Sequence, residues 1–274
     1  MKTRLISGII GSLCVAVMLI LGQFIPIVYS ILVAVVALIC SFEILAAAGM
    51  TKKLGLIIPS LIFAALFPLL LSVGHWQLLV FLYPLSMFVI LLTSPEIISF
   101  PDLAYTFTTV SVITFGLSAM IILCGKNLSH ALYYIMITIG IPWVADAGAY
   151  FSGSFLGKHK LCPSISPKKT VEGALGGLLA GVIGAVIISL IFQLFCFQNG
   201  EAVLYPQLVV MALIGTAVSI IGDLTFSAIK RSCHIKDYGS IIPGHGGILD
   251  RCDSVIFTSP FILLFTAYFP IISL

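Results

Sequence analysis

Nine long apolar runs, set apart by prolines and small polar clusters, leave this chain hydrocarbon as the only solvent in which it can fold. They cover approximately residues 5–22, 26–48, 54–73, 76–93, 104–124, 130–150, 173–196, 206–228 and 255–273. A helix needs roughly 20 apolar residues to cross a bilayer core, whereas a barrel strand needs about half as many. Backbone groups in lipid must be satisfied within the segment, so runs of this length are predicted helices. Charged residues make up only 8% of the chain, against roughly 25% in soluble proteins, too few to coat a water-facing surface. The predicted fold class is therefore all-α, a polytopic integral membrane protein with about nine transmembrane helices.

Orientation follows from the cations. With the N-terminus inside, the inner segments hold Lys2, Arg4, Lys52, Lys53, Lys158, Lys160, Lys168, Lys169, Lys230, Arg231, Lys236 and Arg251, and the outer segments hold only Lys126. Twelve against one is the asymmetry that fixes topology in membranes, and losing any one span would scramble it. The N-terminus is predicted cytoplasmic and the C-terminus outside. The first run is as long as a span and lacks an obvious small-residue cleavage site, so it reads as a retained helix rather than a secretory signal. The seven cysteines contain no C-x-x-C pair and suggest no disulfide framework. No basic face outside the bilayer is long enough to bind nucleic acid.

The chain divides into N-terminal helices, residues 1–128, and a C-terminal region, 129–274, that carries two polar inner loops at 151–172 and 229–254. The first five spans are almost featureless apart from Glu43, read either as functional or, at least as well, as a snorkelling or paired carboxylate near the interface. Gly173, Gly177 and Gly181 open the seventh span on one stripe, the pattern of close helix packing.

Three acids stand where the inner loops meet the helices: Asp146, Asp223 and Asp250. Carboxylates at the edge of hydrocarbon are costly unless paired or solvated. Ser219, Asp223, Ser227 and Lys230 share one face of the eighth helix, with Asp223 about 10 Å deeper than Lys230. Asp146 and Tyr150 share a face in the sixth. In the second loop, Gly244, Gly246 and Gly247 leave the backbone free to present N–H groups to an anion. Lys and Arg flank them, and Asp250 and Asp253 are spaced to point the same way from a helix. Acids among bases make sense when a divalent metal bridges carboxylate to phosphate. Gly153 to Lys158 is not a P-loop, because its glycines are too close and His159 stands where Ser or Thr is required. His159, Cys162, Cys233, His234, His245 and Cys252 lack the spacing of a zinc site.

The stretch from Ser227 to Asp253, S-A-I-K-R-x4-K-D-x-G-x3-P-G-H-G-G-I-L-D-R-C-D, resembles the signature of phosphatidate cytidylyltransferases, the CDP-diacylglycerol synthases of bacterial type. Gly222-Asp223-Leu224, A-D-A-G-A-Y from Ala145, G-K-H-K-L-x-P from Gly157 and I-S-P-K-K-T-V-E-G from Ile165 resemble the family's other motifs. The resemblance covers the last half of the chain. One departure is Phe226, where many bacterial members carry an acid before the serine; another is Cys233-His234, where small residues are common.

The resemblance implies that CTP and phosphatidate react to give CDP-diacylglycerol and pyrophosphate at the cytoplasmic face of a bacterial inner membrane. It implies Mg2+, with a second monovalent or divalent cation left open, held by Asp223, Asp250 and Asp146, with Asp253 beside them. Lys158, Lys168, Lys169, Ser227, Lys230, Arg231, Lys236, His245 and Arg251 would bind the CTP and lipid phosphates. The glycine stripe and the family are compatible with a homodimer. A CTP-dependent kinase of polyprenol or phytol type shares part of the motif but attacks the γ-phosphate and releases CDP. A transporter would show broken helices at the bilayer midplane, whereas these polar groups gather at one face.

Overall fold

The computed structural model describes residues 17–126, 130–197, 200–239 and 246–273. Each predicted run is helical where it is described. Residues 17–24 form the described part of α1, so most of the first run, with Lys2 and Arg4, lies outside the described residues. The others are α2 (Ile27–Ala47), α3 (Leu54–Ser72), α4 (Gln77–Thr93), α5 (Phe100–Lys126), α6 (Ala131–Leu156), α7 (Val171–Phe195), α8 (Tyr205–Ser232) and α9 (Leu249–Tyr268). Six of these, α2, α3 and α5 to α8, are long and apolar enough to cross a membrane, and α4 is a shorter apolar helix of 17 residues. The chain is an all-α polytopic membrane protein.

The two polar loops are shorter than expected. α6 continues through Leu156 and α7 begins at Val171, because nothing before Gly157 breaks the helix and extending a helix costs little once it has started. Between them lies an antiparallel hairpin, β1 (Lys160–Cys162) with β2 (Ser166–Thr170). α8 likewise takes the second loop's start through Ser232, and α9 takes its end from Leu249. His234 follows α8 in the left-handed region at φ 56°, a conformation common just beyond a helix C-terminus.

Contacts divide the chain into two compact units, Met1–Ser129 with Ser232–Cys252, and His130–Arg231 with Asp253–Leu274. Residues 232–252 of the second loop, grouped by the sequence with the C-terminal half, thus fall in the first unit, while Lys230, Arg231 and Asp253 stay in the second. That unit's core is aromatic: Phe63 stacks on Tyr83 at 4.3 Å and meets Phe115 edge-on at 5.7 Å. Lys53 pairs with Asp102 at 2.5 Å, tying the entry of α3 to the first turn of α5.

The second unit is built on the glycines of α7. A Cβ at Gly177 would stand 3.0 Å from the Ala145 carbonyl oxygen and 3.1 Å from the Ala149 Cβ, so α7 can approach α6 only without one. Gly173 lies as close to the Ala149 oxygen, and Gly181 fits against Thr216 of α8. The stripe is consumed inside the unit, which removes it as support for a dimer. β3 (Ala202–Val203) pairs with β4 (Ile272–Ser273), holding the chain's end against the entry to α8.

Candidate active site

The hairpin is fastened at both ends. The Thr170 side chain accepts a hydrogen bond from the Gly173 amide at 3.1 Å, capping α7. Glu172 in the same first turn accepts from the Lys158 amide at 3.0 Å and the His159 amide at 3.2 Å, and its carboxylate pairs with the His159 ring at 2.6 Å. Arg231 Nε donates to the Ile165 carbonyl at 3.2 Å, joining the end of α8 to the hairpin. These contacts aim the lysines of β1 and β2 toward α6 and α8.

What they enclose is a cavity of about 570 Å³ whose lining includes Asp146, Tyr150 and Ser154 of α6, Lys160, Lys168 and Lys169 of the hairpin, Thr170, and Asp223 of α8. Lys169 donates to Asp223 Oδ2 and forms an ion pair with it. Ser227 donates to the other oxygen, Oδ1, at 3.3 Å, realising the predicted helix face. Asp146 is exposed on the cavity wall, and Tyr150 is 70% exposed beside it.

Asp253 stands close by, because α9 packs tightly on α8. A Cβ at Gly222 would meet the Asp253 carbonyl oxygen and the Phe257 Cβ, both at 3.1 Å, so the glycine before Asp223 brings the two helices together. Asp253 is 7% exposed, accepts the Ser254 amide at 2.7 Å, and lies within electrostatic reach of Asp223, Lys230 and Asp146. Phe226 is 2% exposed and meets Phe257 edge-on at 6.2 Å, so the position that departs from the family pattern faces the unit's interior.

In the first unit the second loop curls around Asp250, whose Oδ2 accepts the Tyr238 amide at 2.9 Å and the Gly247 amide at 3.0 Å. Gly246 takes φ 85°, and a Cβ there would lie 3.1 Å from the same oxygen, so both its backbone and its lack of a side chain serve the turn. Glu43 of α2 accepts the amides of Ile248 at 3.1 Å and Leu249 at 2.8 Å. Lys236 and Arg251 are exposed, and His245 lies outside the described residues.

With the geometry in view, comparison with known proteins decides the family. A profile described as the cytidylyltransferase family matches residues 2–269. The chain belongs to the cytidylyltransferase family. Among curated relatives, a Bacillus subtilis protein named phosphatidate cytidylyltransferase is 33% identical over 280 residues, covering 98% of each chain. Staphylococcus epidermidis and Staphylococcus saprophyticus proteins of the same name are 35% and 32% identical, each aligning over 95% of this chain and 96% of the relative. The similarity therefore extends through the first five helices, where no motif was legible.

In this cytidylyltransferase the predicted residues fall into two settings. Asp146, Asp223, Ser227, Lys168, Lys169, Lys230 and Asp253 gather in the second unit, around or beside the cavity. Lys158 is exposed, held by its own backbone amide on Glu172, and Arg231 holds the hairpin. Asp250, Lys236 and Arg251 lie in the first unit. Lys160, two residues after Lys158 in the same motif and not among the predicted residues, also lines the cavity. The oxygen donors suit magnesium in kind. In position they are not drawn together: among the described residues no group of three or more His, Cys, Asp or Glu side chains could hold a metal ion. The Lys169 ammonium occupies one oxygen of Asp223 instead.

Proposed function

We propose that this protein transfers the cytidylyl group of CTP to phosphatidate, releasing pyrophosphate and forming CDP-diacylglycerol, and that the second-unit cavity is where the phosphates meet. The observation that carries the reading is the pairing of walls: Lys160, Lys168 and Lys169 on one side, Asp146 and Asp223 on the other. Relatives named phosphatidate cytidylyltransferase support the choice of substrates.

An oxygen of the phosphatidate phosphate forms a bond to the α-phosphorus of CTP, and the bond from that phosphorus to the β-phosphate bridge oxygen breaks. The attacking monoester, whose second pKa is about 6, is already largely a dianion near neutral pH and needs no strong base. What the reaction needs is relief of repulsion between anions and stabilisation of the leaving pyrophosphate. Lys160, Lys168 and Lys169 supply charge-assisted hydrogen bonds to phosphate oxygens. As Lys169 turns from Asp223 to an incoming phosphate, the Asp223 carboxylate is freed. Asp223 and Asp146, the two carboxylates on the cavity wall, would supply oxygens to a Mg2+ carried in by the nucleotide, which would supply Lewis-acid neutralisation of phosphate charge when bound. Ser227 holds Asp223 in orientation, and Asp250 shapes the turn that carries Lys236 and Arg251. The cation asymmetry of the sequence supports a site on the cytoplasmic side of a bacterial inner membrane.

The test is turnover by purified protein in lipid nanodiscs supplied with α-labelled CTP, phosphatidate and Mg2+. The expected products are labelled CDP-diacylglycerol and unlabelled pyrophosphate. Labelled CDP as the released product would mean γ-phosphate attack and a lipid kinase.

A further inference from the structure

Glu43 is a buried acid of the first five helices that the proposed mechanism does not use. It lies near the end of α2, and only 3% of it is exposed. A buried carboxylate without donors is strongly unfavourable, and among the described residues no cation pairs with this one. Its two oxygens each accept a backbone amide instead, Oε1 from Ile248 and Oε2 from Leu249. Those amides open α9, which begins at Leu249. The first N–H groups of a helix have no partner within it and carry the positive end of its dipole. Glu43 satisfies them from a residue about 200 positions earlier in the chain, as the sequence separations of 205 and 206 record.

The loop is shaped to admit this side chain. A Cβ at Gly247 would stand 2.6 Å and 2.7 Å from the two carboxylate oxygens, and one at Gly239 would overlap Oε1. A side chain at either glycine would have to displace the Glu43 carboxylate from its amide partners, and the same Gly247 donates its amide to Asp250. One carboxylate from α2 thus fixes the turn that Asp250 closes and sets where α9 starts.

We infer that Glu43 is a positioning residue for the cytidylyltransferase reaction: it clamps the glycine turn and the first amides of α9, and so holds Asp250 and Arg251 in register. The inference rests on the proposed function of that loop and assigns the N-terminal helices a part in it.

The test uses the full-length protein in nanodiscs. Glu43→Gln keeps the side chain's size but turns an NH2 group toward one of the two amides. It should slow turnover about tenfold to a hundredfold, the range for losing a charge-assisted hydrogen bond at a buried site. Hydrogen exchange at the amides of residues 246–251 should quicken by a similar factor while α6 and α7 keep their protection. Glu43→Asp should recover part of both. Gly247→Ala should be costly on its own but much less so combined with Glu43→Ala, because the new methyl then fills vacated space. Unchanged exchange at Ile248 and Leu249 in Glu43→Gln, or an equal Gly247→Ala penalty with and without Glu43, would overturn the inference. Asp250→Asn is measured alongside: full turnover there would overturn the reading of the loop itself, while the exchange data would still decide the clamp.

Discussion

Replacing Asp223 with asparagine separates charge from shape at the point where the cavity's lysines meet its carboxylates. The asparagine fills the same volume and can still accept from Ser227, so the substitution removes one negative charge and the ion pair with Lys169. That pair is partly open to solvent, with Lys169 and Asp223 side chains 28% and 20% exposed. Solvent screening holds such a pair to about 1 kcal/mol or less. The fold should therefore survive, with Tm lowered by no more than about 4 °C for a chain of this size. Activity should respond on another scale. If Asp223 holds the cations that neutralise and orient the reacting phosphates, its loss should cost at least about a thousandfold in kcat/KM, equivalent to about 4 kcal/mol of transition-state stabilisation. Thermal melts of the detergent-solubilised protein and labelled-CTP turnover in nanodiscs read the two effects independently. Turnover within about threefold of the unsubstituted protein would refute the assignment. So would a large drop in Tm accompanying the lost activity, because Asp223 would then be a structural ion-pair partner.

Three further outcomes follow from the same geometry. Gly177→Val places side-chain atoms against the Ala145 carbonyl, which cannot yield; it should destabilise by about 1–3 kcal/mol, read as a lower Tm, with turnover falling because Asp146 is the next residue along α6. Lys160→Ala should raise the KM for CTP or phosphatidate about tenfold with little change in Tm, since Lys160 is exposed and lines the cavity; an unchanged KM for both would remove it from the site. Chelation by EDTA should abolish turnover and added Mg2+ should restore it, with the melting curve nearly unchanged, because α6, α7 and α8 pack through glycine contacts at Gly173, Gly177 and Gly181 that involve no acid side chain.

The two halves of the site differed in how legible they were. The α8 face was readable because helical spacing alone places Asp223 and Ser227 together, and the hydrogen bond between them follows. The hairpin was not: K-H-K-L-C and S-P-K-K-T lack the length and alternation of recognisable strands, and only antiparallel pairing across a short turn makes them a wall. Asp253 and Asp250, three residues apart on α9, were read as pointing one way. In the structure Asp253 is drawn to Asp223 by the close approach at Gly222, whereas an Asp250 oxygen is held by the amides of its own turn. Glu43 stood out in its apolar span, but its partners did not, since they lie more than two hundred residues away.

Apolar length and the distribution of cations fix, from sequence, that this chain is a bundle of membrane helices and which of its segments are polar. Hydrocarbon admits few backbone solutions, so composition alone selects the fold class. The register between helices was decided only in three dimensions. It depends on where a missing Cβ lets two backbones touch, at Gly177 against Ala145 and at Gly222 against Asp253. Close packing of this kind is a property of pairs of surfaces, and a linear pattern records just one surface at a time.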